Sequence, residues 1–354
     1  MIRRLGAVLA MVAAGLVLTA PATVEIAVPP PPPAAPALPI VPPTAEEVSA
    51  RIAPAVVTLT ANRGWRGISG TGIVLTADGT VLTNHHVVTG ATDISAVSPH
   101  TGASYDVAVL GYDSTLDIAV LQLGSAAGLP VAAVTETPLP QPGSPVTAFG
   151  NADGGGVVVP APGTIVAVDK TVSVRDSMDG SLRRLRGMLQ VSAAIRPGDS
   201  GGPLVDAFGT VVGVNTAGAV EPDPAAVPDP PEAYAVPIGT ALDVVDQVRT
   251  GTSAGTVHVG PTPLLGVSVT TDRTGNEETG AEVLWVGYGT PAAGTGLEIG
   301  DVIVAFDGRP VSTTVDLEDM LMARRPGDSV EIGWLDVTGR HRTARVVLDV
   351  GPPR

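Results

Sequence analysis

From about Val48 to Val248 the chain repeats one pattern, a short run of Val, Ile, Leu and Thr followed by a turn of Gly, Pro, Asn or Asp. Such runs occupy Ala55 to Thr60, Gly72 to Leu75, Val81 to Thr83, Val107 to Leu110, Ile118 to Leu123 and Val211 to Asn215. β-Branched side chains lose rotamer freedom in a helix and pack well on a pleated surface, so these runs read as strands. Many short strands at this spacing suggest a barrel or a sandwich. Aromatic residues make up 3% of the chain and there is no Cys, so the cores are built from aliphatic side chains and no disulfide supports them. The stretch from Thr240 to Arg249 departs from the pattern. Its apolar residues have helical spacing, and it closes the region, with Gly251-Thr252-Ser253-Ala254-Gly255 as a linker behind it.

A chain of 354 residues exceeds what one core usually organises, which predicts two folded domains, the second beginning near Pro261. The N-terminal residues 1–22 read as an export signal: Arg3 and Arg4 precede an apolar run from Leu5 to Leu18, and Ala20-Pro21-Ala22 offers small residues for cleavage. That run is shorter than the ~20 residues that span a bilayer, which favours a cleaved signal over a retained anchor. A secreted or envelope location follows, the alternative being anchorage by an uncleaved signal. Residues 23–47, with Pro29 to Pro33 and Pro42-Pro43, form a stiff, extended spacer with no packed core. A net charge of -15 opposes nucleic acid as a partner. Without Cys there is no thiolate zinc site, no Cys nucleophile and no lipoprotein-type anchor, and no cluster of His and acidic residues has metal-ligand spacing, so neither a metal nor a cofactor is expected.

Gly198-Asp199-Ser200-Gly201-Gly202-Pro203 is the most informative hexapeptide. A nucleophilic serine needs an exposed hydroxyl on a tight turn and backbone N–H groups aimed at the oxyanion formed on attack. The N–H groups of Gly198 and Ser200 are the candidates for that oxyanion hole. A serine hydroxyl also needs a base, and the base a carboxylate to orient it. The chain supplies both in order: a His85-His86 pair at the end of an apolar run, and Asp113 and Asp117 ahead of Ile118-Ala119-Val120-Leu121.

These three segments resemble the catalytic motifs of the trypsin-like HtrA (Do-like) proteases. The likeness spans about residues 48 to 350, and the order from export signal to C-terminal domain is similar to the secreted PepA-like actinobacterial branch of that family. The resemblance implies a mainly β chain with a chymotrypsin-like double β-barrel over residues 48–250, a linker over 251–260 and a PDZ domain, a small β-barrel with capping helices, over 261–350. It selects His86, immediately before Val87-Val88, as the base; Asp117, immediately before Ile118, as the orienting carboxylate; and Ser200 as the nucleophile. By the same pattern Ala194, Ile195, Asn215, Thr216 and Ala217 form the substrate pocket, and the lack of charge at Ala194 and Ile195 implies apolar residues before the cut. Arg196 stands where related proteases often have Asn. The acidic, proline-rich stretch from Glu221 to Glu232 lies near the expected cleft, as a gate or a variable surface loop. His100, His258 and His341 have no partnering acid motif and read as structural or surface residues.

In the second domain Leu264-Leu265-Gly266-Val267 is the expected loop that receives a terminal carboxylate, followed by a strand that pairs with an incoming peptide. Thr314 is expected to cap a helix that turns Leu317 and Leu321 to the peptide groove, and the same pair also suits a core. The function implied is an exported serine endopeptidase acting on unfolded proteins, with C-terminal or extended hydrophobic peptides captured at the PDZ domain. The alternative is a peptide-binding chaperone or adaptor on a protease scaffold. The resemblance also implies a homo-oligomer, although the aromatic N-terminal contacts of such trimers have no counterpart before Trp65.

Overall fold

A computed structural model describes residues 42–64, 66–134, 140–175, 182–216, 233–271 and 280–354. The expected export signal, most of the Pro-rich spacer, Ala217 and the loop from Glu221 to Glu232 lie outside the described residues.

Helix α1 (Ala45–Ile52) starts at a capping box, in which the Thr44 hydroxyl accepts from the Glu47 N–H and the Glu47 carboxylate accepts from the Thr44 N–H. Its buried face, Val48 and Ile52, leads the chain into the first barrel. That barrel comprises β1 (Val56–Arg63), β2 (Arg66–Val74), β3 (Thr80–Thr83), β4 (Asp93–Val97), β5 (Ser104–Asp113) and β6 (Ile118–Leu123), with the single-turn helix α2 (His85–Val88) after β3. The strand order is β5-β4-β1-β2-β3-β6, and β5 pairs with β6 to close the ring. Val57, Leu59, Val81, Val87 and Leu121 fill its interior.

The second barrel is closed in the order β10-β11-β12-β9-β8-β7, from β7 (Pro145–Gly150), β8 (Val159–Arg175), β9 (Leu182–Val191), β10 (Pro203–Asp206), β11 (Val211–Thr216) and β12 (Ala233–Pro237). Closure leaves no open edge in either ring, which suits an aliphatic chain whose exposed Val-rich strands would otherwise pair with other molecules. Helix α3 (Ile238–Arg249) begins two residues before the expected Thr240 and buries Ile238, Ala241, Val244, Val245 and Val248 in the core it shares with both barrels. The expected linker is partly ordered: Val257–Val259 forms β13, which pairs antiparallel with β5 at Gly111 to Asp113.

Beyond β13 the sheet order is β15-β16-β17-β19-β20, from β15 (Val267–Thr271), β16 (Ala281–Val286), β17 (Val302–Phe306), β19 (Ser329–Leu335) and β20 (His341–Val347), with β18 (Arg309–Pro310) beside β17. A separate two-stranded sheet joins β14 (Thr262–Leu264) to β21 (Asp349–Gly351). Helix α4 (Thr314–Met322) is capped by Thr313, not by Thr314, because the Asp316 carboxylate closes a reciprocal capping box back onto the Thr313 N–H. Leu317 and Leu321 are 3% and 2% exposed and pack with Phe306, Ile332 and Trp334, so the pair belongs to the core.

One polar column joins these parts. The His85 ring is fully buried and stacks on Tyr112 of β5 with centroids 4.7 Å apart, and Tyr112 meets His258 of β13 at 5.1 Å. His85 is interior, and His258, expected as a structural or surface residue, is interior too. Burial pushes the His85 pKa down to about 4 against the opposing pull of Asp117, and burial also lowers that of His258.

Two outcomes follow from this packing. Leu317→Ala or Leu321→Ala lowers unfolding free energy in urea by about 2–5 kcal/mol, the cost of a core cavity; a residue that only lined a groove would leave it unchanged. The depressed His85 pKa also makes stability fall with acid. Above about 6.5 the ring is neutral in both states, and as pH drops toward 4 the unfolded chain binds a proton that the folded chain refuses, a loss of about 3 kcal/mol when complete. Urea titrations at a series of pH values show a shallower decline for His85→Gln than for the native chain; parallel declines contradict the assignment.

Candidate active site

The end of β3 delivers Asn84 and then α2, and the turn after β5 delivers Asp117. That turn is built by Asp113, whose Oδ1 accepts the N–H groups of Thr115 (2.8 Å) and Leu116 (3.0 Å), so Asp113 shapes the loop that presents Asp117. Asp117 itself has φ +57°, a left-handed conformation that Asp tolerates better than bulkier residues. Its carboxylate is buried and fully engaged. Oδ1 accepts the His86 backbone N–H at 2.9 Å, Oδ2 lies 2.8 Å from His86 Nδ1, and the Thr216 hydroxyl donates to Oδ2 at 3.0 Å. Asn84 Nδ2 fixes the backbone by donating to the Asp117 carbonyl at 2.9 Å. Burial alone raises a carboxyl pKa, but here the His86 charge and the hydrogen bonds outweigh it and hold Asp117 below the ordinary value.

Ser200 sits in the loop entering β10, on the second barrel, and this loop is fastened to the first. The Thr71 N–H donates to the Ser200 carbonyl at 2.8 Å, the Thr71 hydroxyl donates to the Gly198 carbonyl at 2.7 Å, and the Thr83 hydroxyl donates to the Thr71 carbonyl at 2.7 Å. The glycines are sterically required. Gly198 has φ +97° and a Cβ there would lie 2.1 Å from the Asn151 carbonyl oxygen; at Gly201, φ +84°, a Cβ would meet Thr83 Oγ1 at 2.1 Å. The Gly201 Cβ would also lie 2.2 Å from the Thr71 carbonyl oxygen, so backbone blocks both positions and larger residues are excluded.

The other expected site residues are placed as follows. Asn215 is fully buried and its amide donates to the Phe149 and Pro203 carbonyls, while its backbone pairs with Gly201 and Gly202. Asn215 therefore braces the loop that carries Ser200, and the Thr216 hydroxyl braces Asp117. Ala194 is exposed and Ile195 is half-buried against the core of the second barrel. The Arg196 side chain points away to an exposed ion pair with Asp153 at 2.8 Å, and its backbone N–H donates to Asp199 Oδ2 at 2.8 Å. Burial nevertheless raises the Asp199 pKa above its ordinary value. In the C-terminal region Leu264 lies in β14, Leu265 is fully buried, Gly266 has φ +90° and Val267 opens β15. Thr71, Thr83, Asn84 and the role of Thr216 escaped the sequence reading, because their partners are distant in the chain and no local pattern marks them. Among the described residues no group of His and acidic side chains is arranged to hold a metal ion.

Comparison with known proteins agrees with this architecture. The family of the trypsin-like peptidase domain matches residues 70–214 and the PDZ domain family matches residues 263–338. Serine protease PepD of Mycobacterium tuberculosis is 32% identical over 332 residues, covering 89% of this chain and 68% of PepD. The putative serine protease HhoB of Synechocystis is 33% identical, covering 75% of this chain and 62% of that protein. A probable periplasmic DegP-like serine endoprotease of Rhizobium meliloti is 33% identical, covering 80% of this chain and 53% of that protein. The chain thus spans about half to two-thirds of the length of these relatives. With the peptidase match falling on the two barrels, the PDZ match on the C-terminal sheet, and PepD similar over most of both chains, this chain belongs to the HtrA-like family of trypsin-fold serine proteases that carry a PDZ domain.

Proposed function

We propose that the chain is an exported serine endopeptidase in which His86, Asp117 and Ser200 form the catalytic triad. The observation that carries this reading is the bond between Asp117 and His86 Nδ1. A carboxylate held below its ordinary pKa accepts the Nδ1 proton, which leaves Nε2 as the unprotonated nitrogen of a neutral ring. Nε2 takes the Ser200 proton as Oγ attacks the peptide carbonyl, and the imidazolium is stabilised by Asp117. The ring then returns that proton to the leaving amine, and water resolves the acyl-enzyme by the same route in reverse. The Gly198 and Ser200 N–H groups hold the oxyanion, each donor being worth about 2.7–4 kcal/mol in the transition state.

Peptide capture by the C-terminal domain is the second part of the proposal. β15 is the end strand of its sheet, and α4 packs beside it, with the Thr271 and Thr314 hydroxyls 3.3 Å apart. An extended peptide adds to such an edge through main-chain hydrogen bonds, with its terminal carboxylate toward the loop from Leu264 to Val267. Because Leu317 and Leu321 are core, they would shape the groove from beneath. Export is supported by the Arg-led apolar segment at residues 1–22 and by the periplasmic designation of the DegP-like relative. Apolar specificity before the cut is supported by the uncharged Ala194 and Ile195 and by the outward course of Arg196.

The test is hydrolysis of unfolded casein by the protein, with kcat/KM measured from pH 5 to 9 on a chromogenic peptide. Activity is expected to rise through one titration near ~6.5–7 and to vanish in Ser200→Ala. Undiminished hydrolysis by Ser200→Ala, or a flat profile, contradicts the triad.

A further inference from the structure

A single-turn helix has no stability of its own, so the orientation of α2, and with it His86, depends on what holds its two ends. Asp117 holds Asn84 and the His86 N–H, the Arg63 guanidinium donates to the His86 carbonyl, and further holders come from the far end of the fold. Residues 352–354 leave the two-stranded β14–β21 sheet and run against the first barrel. The Pro353 carbonyl accepts the Gly90 N–H at 2.7 Å, just past the C-terminal end of α2. The main-chain oxygen of Arg354 lies 2.7 Å from His85 Nε2, in the first residue of α2. The Arg354 N–H donates to the Tyr112 hydroxyl at 3.2 Å, and the Tyr112 ring covers the face of His85. The same strand that anchors this segment, β14, follows directly on β13, which pairs with β5.

We infer that residues 352–354 are a strut on the catalytic helix and that His85 is a positioning residue, donating from Nε2 to the Arg354 main-chain oxygen and thereby fixing the backbone from which His86 meets Asp117. The inference rests on His86 being the base. The geometry gives the contact leverage. The His86 N–H to Asp117 Oδ1 bond is one residue from the strut, and a general base displaced by a fraction of an ångström loses alignment with the hydroxyl it must deprotonate. The depressed pKa of His85 keeps the ring neutral above about pH 4, so it serves as a single-proton donor with no charge of its own beside His86. Met322 at the end of α4 packs against the first-barrel core as well, so the C-terminal domain bears on this barrel at two places.

The test compares four variants of the full chain on a chromogenic peptide too short to reach the C-terminal domain. Deletion of residues 352–354 and His85→Leu, which keeps bulk without the donor, are expected to lower kcat at least tenfold with KM within twofold. His85→Gln, which restores an N–H near the Nε2 position, is expected to stay within about threefold of the native kcat. Tyr112→Phe keeps the stack while removing the hydroxyl, and is expected to fall between them. Circular dichroism and thermal midpoints identify any variant that fails to fold; if His85→Leu does, the deletion and Tyr112→Phe decide the matter. A folded deletion variant with native kcat, or one altered in KM alone, overturns the strut. His86→Ala is the separate control: full activity there would sink the base assignment itself, whatever the other variants do.

Discussion

A carboxylate taken out of water is tolerated only when every lone pair it presents is met, and Asp117 meets that demand by drawing on both barrels. Its partners are the backbone and ring of His86 on the first barrel and the hydroxyl of Thr216 on the second. Leaving such a group unpaired costs several kcal/mol, so the barrels are held in the register that satisfies it. The same junction is reinforced by Thr71, which fastens the Ser200 loop to β2 from both its backbone and its hydroxyl. Substrate chemistry and domain docking therefore depend on one small set of buried polar contacts, set in a core otherwise made of Val, Leu, Ile and Ala.

The parts of this arrangement that are local in sequence were legible there. β6 runs over Ile118–Leu123 as its apolar pattern predicts, and Ser200 lies in the tight turn that the Gly-rich hexapeptide anticipates, with Gly198 and Gly201 at positive φ. What was not legible is long-range. Val257-His258-Val259 looks like linker because three residues between Gly-rich segments carry no strand signature; only pairing with β5 makes them a strand. Thr216, assigned to the pocket by resemblance alone, also turns its hydroxyl to Asp117 across 99 residues of chain, a bond that no local pattern marks. The shift of the α4 cap from Thr314 to Thr313 shows the limit of a one-residue reading, since either threonine fits the pattern and the Asp316 side chain selects between them.

His85 illustrates how an interior position can hide behind a polar name. Adjacent to the base, it reads as a competing candidate or a surface residue, yet it is sealed beneath Tyr112 and bonded to the segment that follows the last sheet. Two consecutive histidines thus do unlike work. One keeps a partly exposed ring against Asp117, and the other is buried with its Nε2 2.7 Å from the main-chain oxygen of Arg354.

The central claim is that His86, oriented by Asp117, activates Ser200 within a preformed loop. Mass spectrometry after exposure to a fluorophosphonate tests it most directly. The account predicts one adduct, carried by Ser200, in the native chain, and none on the same timescale in His86→Ala. Labelling at another residue, or labelling of Ser200 at an undiminished rate without His86, would contradict it.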